Sequence, residues 1–158
     1  MIEILEKFIV PGLKYLPPEM DSPQVRAMLL SIGMQESRFE HRKQVGGPAH
    51  GFWQFEQGGG VRGIITHPTT SEIARGICKR LVVPFIPAEC YEAITYNDVL
   101  ACCFARLLLW TLSGPLAGKG ENQKAWEQYS AAWRPGKPHR ESWDAYFNTA
   151  WLSLKEEL

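Results

Sequence analysis

Residues 97–112 read NDVLACCFARLLLWTL and form the most apolar segment of the chain. A helix that is apolar on nearly all of its faces lies in the middle of a fold rather than on its surface. Asn97 or Asp98 is a good N-cap for this helix, and Gly114 with Pro115 ends it. The sequence therefore predicts one central buried helix around which the rest of the chain packs.

A second helix begins at Ser22, a good capping residue, and Pro23, which suits the first helical position. Its apolar residues recur at helical spacing, at Val25, Met28, Leu29 and Ile32. The remaining predicted helices cover residues 2–15, broken near Pro11, and residues 71–81, 123–133 and 142–154, with a rigid turn at 134–138. Because no convincing set of alternating strands is present, we expect a mainly α fold in one domain over residues 1–158.

Residues 40–70 follow a different pattern. Glycine stands at positions 46, 47, 51, 58, 59, 60 and 63, and no helical period survives between them. We interpret this segment as a loop with a small β-hairpin around residues 51–55. Because a long loop inside a compact domain is usually functional, we expect it to border a cleft.

The charge balance bears on the class of partner. Lys and Arg together number 17, as do Asp and Glu, so the formal net charge is zero. Non-specific nucleic-acid binding needs a basic face. The charge balance therefore argues against nucleic-acid binding as the main function.

Cysteines and histidines give no metal motif. Cys78, Cys90, Cys102 and Cys103 contain no paired C-x-x-C spacing, and the histidines at 41, 50 and 67 match no common ligand pattern. We expect four buried thiols, with a Cys78–Cys90 disulfide as the alternative for two of them, and no metal or other cofactor.

The beginning of the chain does not resemble a secretory signal, because Glu3, Glu6 and Pro11 interrupt its apolar residues. No apolar run is long enough to span a membrane, and we expect no membrane insertion. We therefore expect a soluble protein made in the cytoplasm, which something else would deliver if its substrate lies outside.

One acidic residue has the right position for catalysis. Glu36 follows Ile32 by four residues, so it lies on the inward face of the second helix, at its last turn. Partial burial and the negative end of the helix dipole both raise the pKa of a carboxyl group there. A glutamate that stays protonated near neutral pH can act as a general acid on a glycosidic oxygen.

The sequence on both sides of Glu36, and a segment further along the chain, resemble motifs of a known family. Residues 35–39 read QESRF, and residues 51–55 read GFWQF. Together they resemble lytic transglycosylases and goose-type lysozymes, in which a Glu-Ser pair closes a helix and a Gly-Leu-Met-Gln-like segment follows. Residues 129–132, YSAA, resemble a weakened form of the Ala-x-x-Tyr-Asn-Ala-Gly segment of that family. The order and spacing match over roughly residues 25–133.

The resemblance implies a lysozyme-like fold that binds peptidoglycan glycan strands. Glu36 would protonate the leaving oxygen of the β-1,4 bond between N-acetylmuramic acid and N-acetylglucosamine. It would then accept the proton of the sugar's own C6 hydroxyl, giving a 1,6-anhydro product without a second carboxylate. Ser37 would support the local turn, Gln54 would hydrogen-bond the substrate or the acid, and Tyr129 would face Glu36 across the cleft.

Departures from the family pattern keep other functions open. Ser130 and Ala132 stand where the family has Asn and Gly. Glu56 could serve as the base of an inverting hydrolase, which needs a second carboxylate about 6.5–9.5 Å from the first. The chain would then be a lysozyme or a chitinase-like hydrolase. Trp53 and Trp126 are candidates to stack on sugar rings.

A non-enzymatic function is the remaining alternative. The chain could be an inactive lysozyme-like protein of a bacteriophage particle that binds glycan or other virion proteins, because fold does not fix function. An active muralytic protein carried in such a particle and delivered to the cell wall or periplasm would also lack a signal peptide.

Overall fold

The computed structural model describes residues 1–155, and this part of the chain is mainly helical, as the sequence predicts. No strand longer than a single bridge occurs within it. The helices are α1 (Ile2–Ile4), α2 (Val10–Leu13), α3 (Pro23–Glu36), α4 (Arg62–Thr66), α5 (Ser71–Arg80), α6 (Pro87–Tyr96), α7 (Asp98–Trp110), α8 (Asn122–Trp133) and α9 (Arg140–Lys155), with π turns at Leu5–Ile9 and Gln57–Val61 and a 3-10 turn at Pro18–Met20.

Helix α7 is the central buried helix that the sequence predicts. All of its residues except Val99, Leu108 and Trp110 are buried. The side chain of Asn97 caps it, accepting a hydrogen bond from the Leu100 N–H at 3.0 Å. Helices α2 to α6 and α8 surround α7, so one continuous hydrophobic core runs through the described chain.

The first helix does not break at Pro11. Proline lacks an N–H and its ring crowds the carbonyl four residues earlier, which an α-helix does not tolerate. The structure widens the preceding turn instead: Leu5–Ile9 forms a π turn in which the Val10 N–H bonds to the Leu5 carbonyl. The prediction of a break was therefore wrong, and helical backbone continues to Leu13.

Helix α3 begins as predicted, with the Ser22 hydroxyl oxygen accepting a hydrogen bond from the Val25 N–H at 3.1 Å. The predicted apolar stripe was too narrow, because Ala27, Leu30 and Gly33 are buried as well. Helix α9 packs along α3, and the ring of Phe39 lies against Gly33. The end of α3, which carries Glu36, is consequently surrounded by protein on several sides.

The glycine-rich segment contains more helix than the sequence predicts. Residues 57–66 form the π turn and α4, although Gly59 keeps non-helical angles (φ −100°, ψ −105°). Val61 and Ile64 are fully buried, and this packing stabilises a helix that glycine disfavours. The predicted hairpin is reduced to a tight turn in which His50 and Phe55 exchange two backbone hydrogen bonds of 2.8 Å.

Helices α5, α7, α8 and α9 agree with the predicted ranges within two residues, but α6 was missed. Pro87 occupies the first turn of α6, a position where proline is compatible with a helix. No helix was predicted between residues 81 and 97, because Pro84 and Pro87 interrupt the sequence there. Cys78 of α5 and Cys90 of α6 are free buried thiols with their sulfur atoms 3.7 Å apart.

No single helix within residues 1–155 is long and apolar enough to cross a membrane. Helices α6 and α7 reach the required length and composition only as a pair, and they are bent by 119° at the break between them.

Candidate active site

Glu36 closes α3, and most of its side chain is enclosed by protein. Burial raises the pKa of this carboxyl group from 4.5 to about 7, and the hydrogen bond from Tyr129 acts in the opposite direction. Burial dominates because an ionised carboxylate loses much of its hydration there. Glu36 therefore gains or loses its proton near neutral pH. Its pKa is raised, as the sequence predicts.

Tyr129 approaches Glu36 from α8, where it is 2% exposed. Its hydroxyl donates a hydrogen bond of 2.6 Å to Oε1 of Glu36. The ring stacks on Trp143 of α9 with the centroids 5.1 Å apart, which fixes its orientation. Burial and the neighbouring Glu36 both raise the pKa of Tyr129, so the hydroxyl remains a donor.

Ser37, directly after α3, joins the end of this helix to the 51–55 turn. Its hydroxyl donates to the Phe52 carbonyl at 2.6 Å and accepts from the Phe39 N–H at 3.1 Å. Ser37 is 4% exposed, so it lies inside the structure and does not face the solvent. It positions the last turn of α3 relative to the loop that follows.

Trp53 does not line a groove. It is fully buried, and its indole N–H donates to the Leu29 carbonyl in the middle of α3 at 2.9 Å. Its ring faces are therefore closed to a sugar, and the sequence prediction that it stacks on substrate does not fit the structure. Trp126 is half-buried and packs against Tyr129 and Trp143.

Gln54 is the turn residue nearest to open space. Its backbone is left-handed (φ +54°), and its side-chain amide donates to the Gly51 carbonyl at 2.9 Å. Gly51 itself requires glycine, because φ is +78° and a Cβ would lie 2.8 Å from Ile94. These two conformations accompany the position of Gln54 at the wall of the cavity described next.

A cavity of about 740 Å³ opens between the glycine-rich segment and the C-terminal half of α8. Gln54, Glu56, Gly63, His67, Trp133 and Arg134 are among its lining residues. Glu36 is not one of them. Trp133, which lines the cavity, follows by one helical turn the Tyr129 that bonds to Glu36. The cavity itself is large enough for sugar rings.

Glu56, the second candidate carboxylate, is exposed and lines the same cavity. The structure separates the three histidines of the loop: His41 is exposed, His50 stacks on Tyr91, and His67 lines the cleft. Within residues 1–155, no group of three or more His, Cys, Asp and Glu side chains could hold a metal ion.

Trp133, which was not among the predicted site residues, bridges α8 and the 51–55 turn. Its indole N–H donates to the Trp53 carbonyl at 2.8 Å, tying α8 to the 51–55 turn. Its spacing of four residues from Tyr129 on a predicted helix is the signal that could have identified it. Gln35 makes a similar link, donating to the His139 carbonyl at 2.9 Å ahead of α9.

No protein-family model, curated protein or solved structure matches this chain.

Proposed function

We propose that the chain is a lysozyme-like lytic transglycosylase that cleaves the MurNAc–GlcNAc β-1,4 bond of peptidoglycan. The observation that carries the proposal is the Glu36–Tyr129 pair: an enclosed carboxyl group with a pKa of about 7, oriented by a buried hydroxyl. Trp133, one helical turn after Tyr129 on α8, lines a large cavity. The likeness of residues 35–39 and 51–55 to lytic transglycosylases supports the same function.

In the first step, protonated Glu36 donates its proton to the glycosidic oxygen as the bond between this oxygen and C1 breaks. The GlcNAc fragment leaves as an alcohol, and positive charge develops at C1 of MurNAc. Glu36 is now a carboxylate, and the Tyr129 hydroxyl stabilises its negative charge through the 2.6 Å hydrogen bond.

In the second step, the carboxylate of Glu36 accepts the proton of the C6 hydroxyl while O6 bonds to C1. The product is a 1,6-anhydromuramyl end, and Glu36 has recovered its proton. A pKa near 7 suits both steps, because the same group must give and take a proton at similar cost.

Hydrolysis is the second candidate function, and the position of Glu56 favours it. An exposed carboxylate on the cleft wall could activate a water molecule that attacks C1 instead of O6. The product would then carry a reducing end, so the two functions differ in the chemistry of the fragment released.

The test is digestion of purified peptidoglycan by the wild type and by Glu36→Gln, with fragments identified by mass spectrometry. Glu40→Gln, an exposed glutamate four residues further along, is the matched control. We expect anhydromuramyl ends from the wild type and the control, and a loss of about 10²–10⁴-fold in rate for Glu36→Gln.

Reducing ends from the wild type would instead identify a hydrolase, and Glu56→Gln would be the next variant. Equal activity of Glu36→Gln and wild type would contradict the assignment of the acid. If the folded wild type released nothing, the lytic function itself would be wrong.

A further inference from the structure

A second cavity, of about 490 Å³, lies at the opposite end of α3 from Glu36. Ser22, Gln24, Arg106, Trp110 and Leu116 are among its lining residues. Because α3 has 14 residues, the two ends of this helix are about 20 Å apart. The second cavity is therefore far from Glu36, although Leu112 lines both it and the larger cavity.

Arg106 is the unusual residue of this cavity. It lies on the central helix α7 and is only 4% exposed, yet it forms no ion pair within residues 1–155. The nearby Asp21 is engaged with Arg26, through bonds of 3.0 and 2.9 Å. A buried arginine without a carboxylate partner is costly, because its charge loses hydration and gains little in return.

The contacts of Arg106 leave part of the guanidinium group unused. Its Nε–H donates to the Met20 carbonyl at 2.7 Å, and the group lies over the Trp110 ring, 5.1 Å from its centroid. The four N–H groups on the two terminal nitrogens have no acceptor in the described part of the chain, and neither nitrogen is sealed from solvent. Arg106 lines the cavity, so these donors are the ones that a ligand bound there would engage.

Two features of α3 reinforce this positive site. The Gln24 backbone N–H belongs to the first turn, where no carbonyl of the helix can accept it. The Ser22 hydroxyl oxygen accepts from Val25, so its hydrogen is free to donate to a ligand. The positive end of the helix dipole adds to the charge of Arg106.

The rest of the wall is apolar, formed by Val25, Leu109, Leu112, Pro115 and Leu116 together with the ring of Trp110. We propose that this cavity binds a carboxylate attached to an aliphatic or aromatic group, with Arg106 as its counter-charge. The carboxylate accepts hydrogen bonds from the guanidinium group, and the apolar part packs against Trp110 and the leucines. This inference does not depend on the proposed glycan cleavage.

Phenylacetate is a suitable probe, and phenylacetamide is its uncharged counterpart. We expect phenylacetate to bind wild-type protein with a Kd on the order of 1 mM, measured by NMR titration, and to shift the Gln24 amide and the Trp110 indole signals. Phenylacetamide should produce neither effect. Binding of both probes with equal affinity would overturn the proposal, as would binding of neither.

Substitution of Arg106 itself threatens the fold, because Arg106 also holds the Met20 carbonyl. Gln24→Glu avoids this problem: it places a carboxylate at the cavity wall, and an acidic residue in the first turn stabilises a helix. The matched control is Gln123→Glu, which makes the same change at the same position of α8, at a residue that does not line the cavity.

We expect Gln24→Glu to weaken phenylacetate binding at least about tenfold, because its carboxylate competes for Arg106 and repels the ligand. Gln123→Glu should bind like the wild type. Unchanged affinity in Gln24→Glu, or an equal loss in both variants, would overturn the assignment of the site.

The natural ligand could be a small carboxylate or the C-terminus of a peptide. Comparing phenylacetate with N-acetyl-alanyl-phenylalanine, and the latter with its C-terminal amide, separates these sources. Tighter, carboxylate-dependent binding of the dipeptide would identify a peptide end, and tighter binding of phenylacetate a small molecule. A dipeptide amide that binds as well as its acid, together with equal binding of the phenylacetate pair, would overturn the proposal.

Discussion

The carboxyl group of Glu36 is subject to two opposing influences. Burial raises its pKa, and the hydrogen bond from Tyr129 lowers it. The outcome, a pKa of about 7, means that the folded protein holds a proton that the unfolded chain releases near pH 4.5. The same residue therefore affects stability as well as the proposed chemistry.

Glu36→Gln should become more stable relative to wild type as the pH rises. In the wild type, the stability that comes from the raised pKa is fully present below about pH 4.5 and is lost as the pH rises to about 7, up to about 3 kcal/mol in all. Glutamine cannot ionise and escapes this loss. Urea unfolding at several pH values between 4 and 8 measures the difference, with the exposed Glu40→Gln as control. A constant difference between variant and wild type across this range would contradict the raised pKa.

Tyr129→Phe should raise the pKa of Glu36 further. The variant removes the hydroxyl that donates to Oε1 and stabilises the ionised form. A ¹³C NMR titration of the Glu36 carboxyl group measures the shift, and the upper limb of the pH–activity profile should move in the same direction. Tyr146→Phe, whose hydroxyl bonds to no other residue within 1–155, should leave both unchanged. A lowered or unaltered pKa in Tyr129→Phe would show that this hydrogen bond does not act on Glu36.

At the scale of elements, few polar contacts tie the 51–55 turn to the helices around it. Ser37 supplies one from α3, and Trp133 supplies another from α8. The helix propensities of Ser37 and Trp133 do not predict either hydrogen bond. Each exists because two elements distant along the chain meet at this point.

Ser37→Ala should destabilise the protein by about 1–3 kcal/mol, because the buried Phe52 carbonyl loses its hydrogen bond. Ser31→Ala is the matched control on the same helix. The Ser31 hydroxyl bonds only to the Ala27 carbonyl, which the helix backbone can already satisfy, so its loss should cost less. Equal losses for the two variants in urea unfolding would argue that Ser37 does not join these elements.

Gly63→Ala tests whether the cleft beside α4 receives substrate. A Cβ at Gly63 meets nothing within 4 Å and projects from a residue that lines the cleft, so the protein itself does not require glycine here. We expect unchanged or slightly higher thermal stability and a several-fold higher KM on peptidoglycan. Gly76→Ala, equally open but on α5, should share the effect on stability and keep the KM. Equal KM values for both variants would place the substrate elsewhere.

At the scale of the whole molecule, the site is assembled from distant parts of the chain. Glu36 and Tyr129 are 93 residues apart, and they meet because α8 and α9 pack against one another and α9 lies along α3. The sequence resemblance placed both residues in the site. Their hydrogen bond, and the orientation of Tyr129 by Trp143, could not be read from local patterns because they depend on how the helices pack.

The sequence by itself determined most of the helices, because apolar periodicity and capping residues act within a few positions. Ser22 with Pro23, and Asn97, mark the starts of α3 and α7 where the structure has them. The prediction of helices from local patterns failed where packing overrides local preference. Helix continues past Pro11, residues 57–66 are helical despite their glycines, and α6 begins at a proline.

Only the tertiary structure decided the environment of each functional side chain. It buries Trp53, exposes Glu56 on the cleft and leaves Arg106 without a carboxylate partner in the described chain. Burial, pKa and cavity shape are sums over neighbours contributed by several helices. A sequence pattern specifies which face of a helix turns inward, whereas the long-range packing specifies what that face meets.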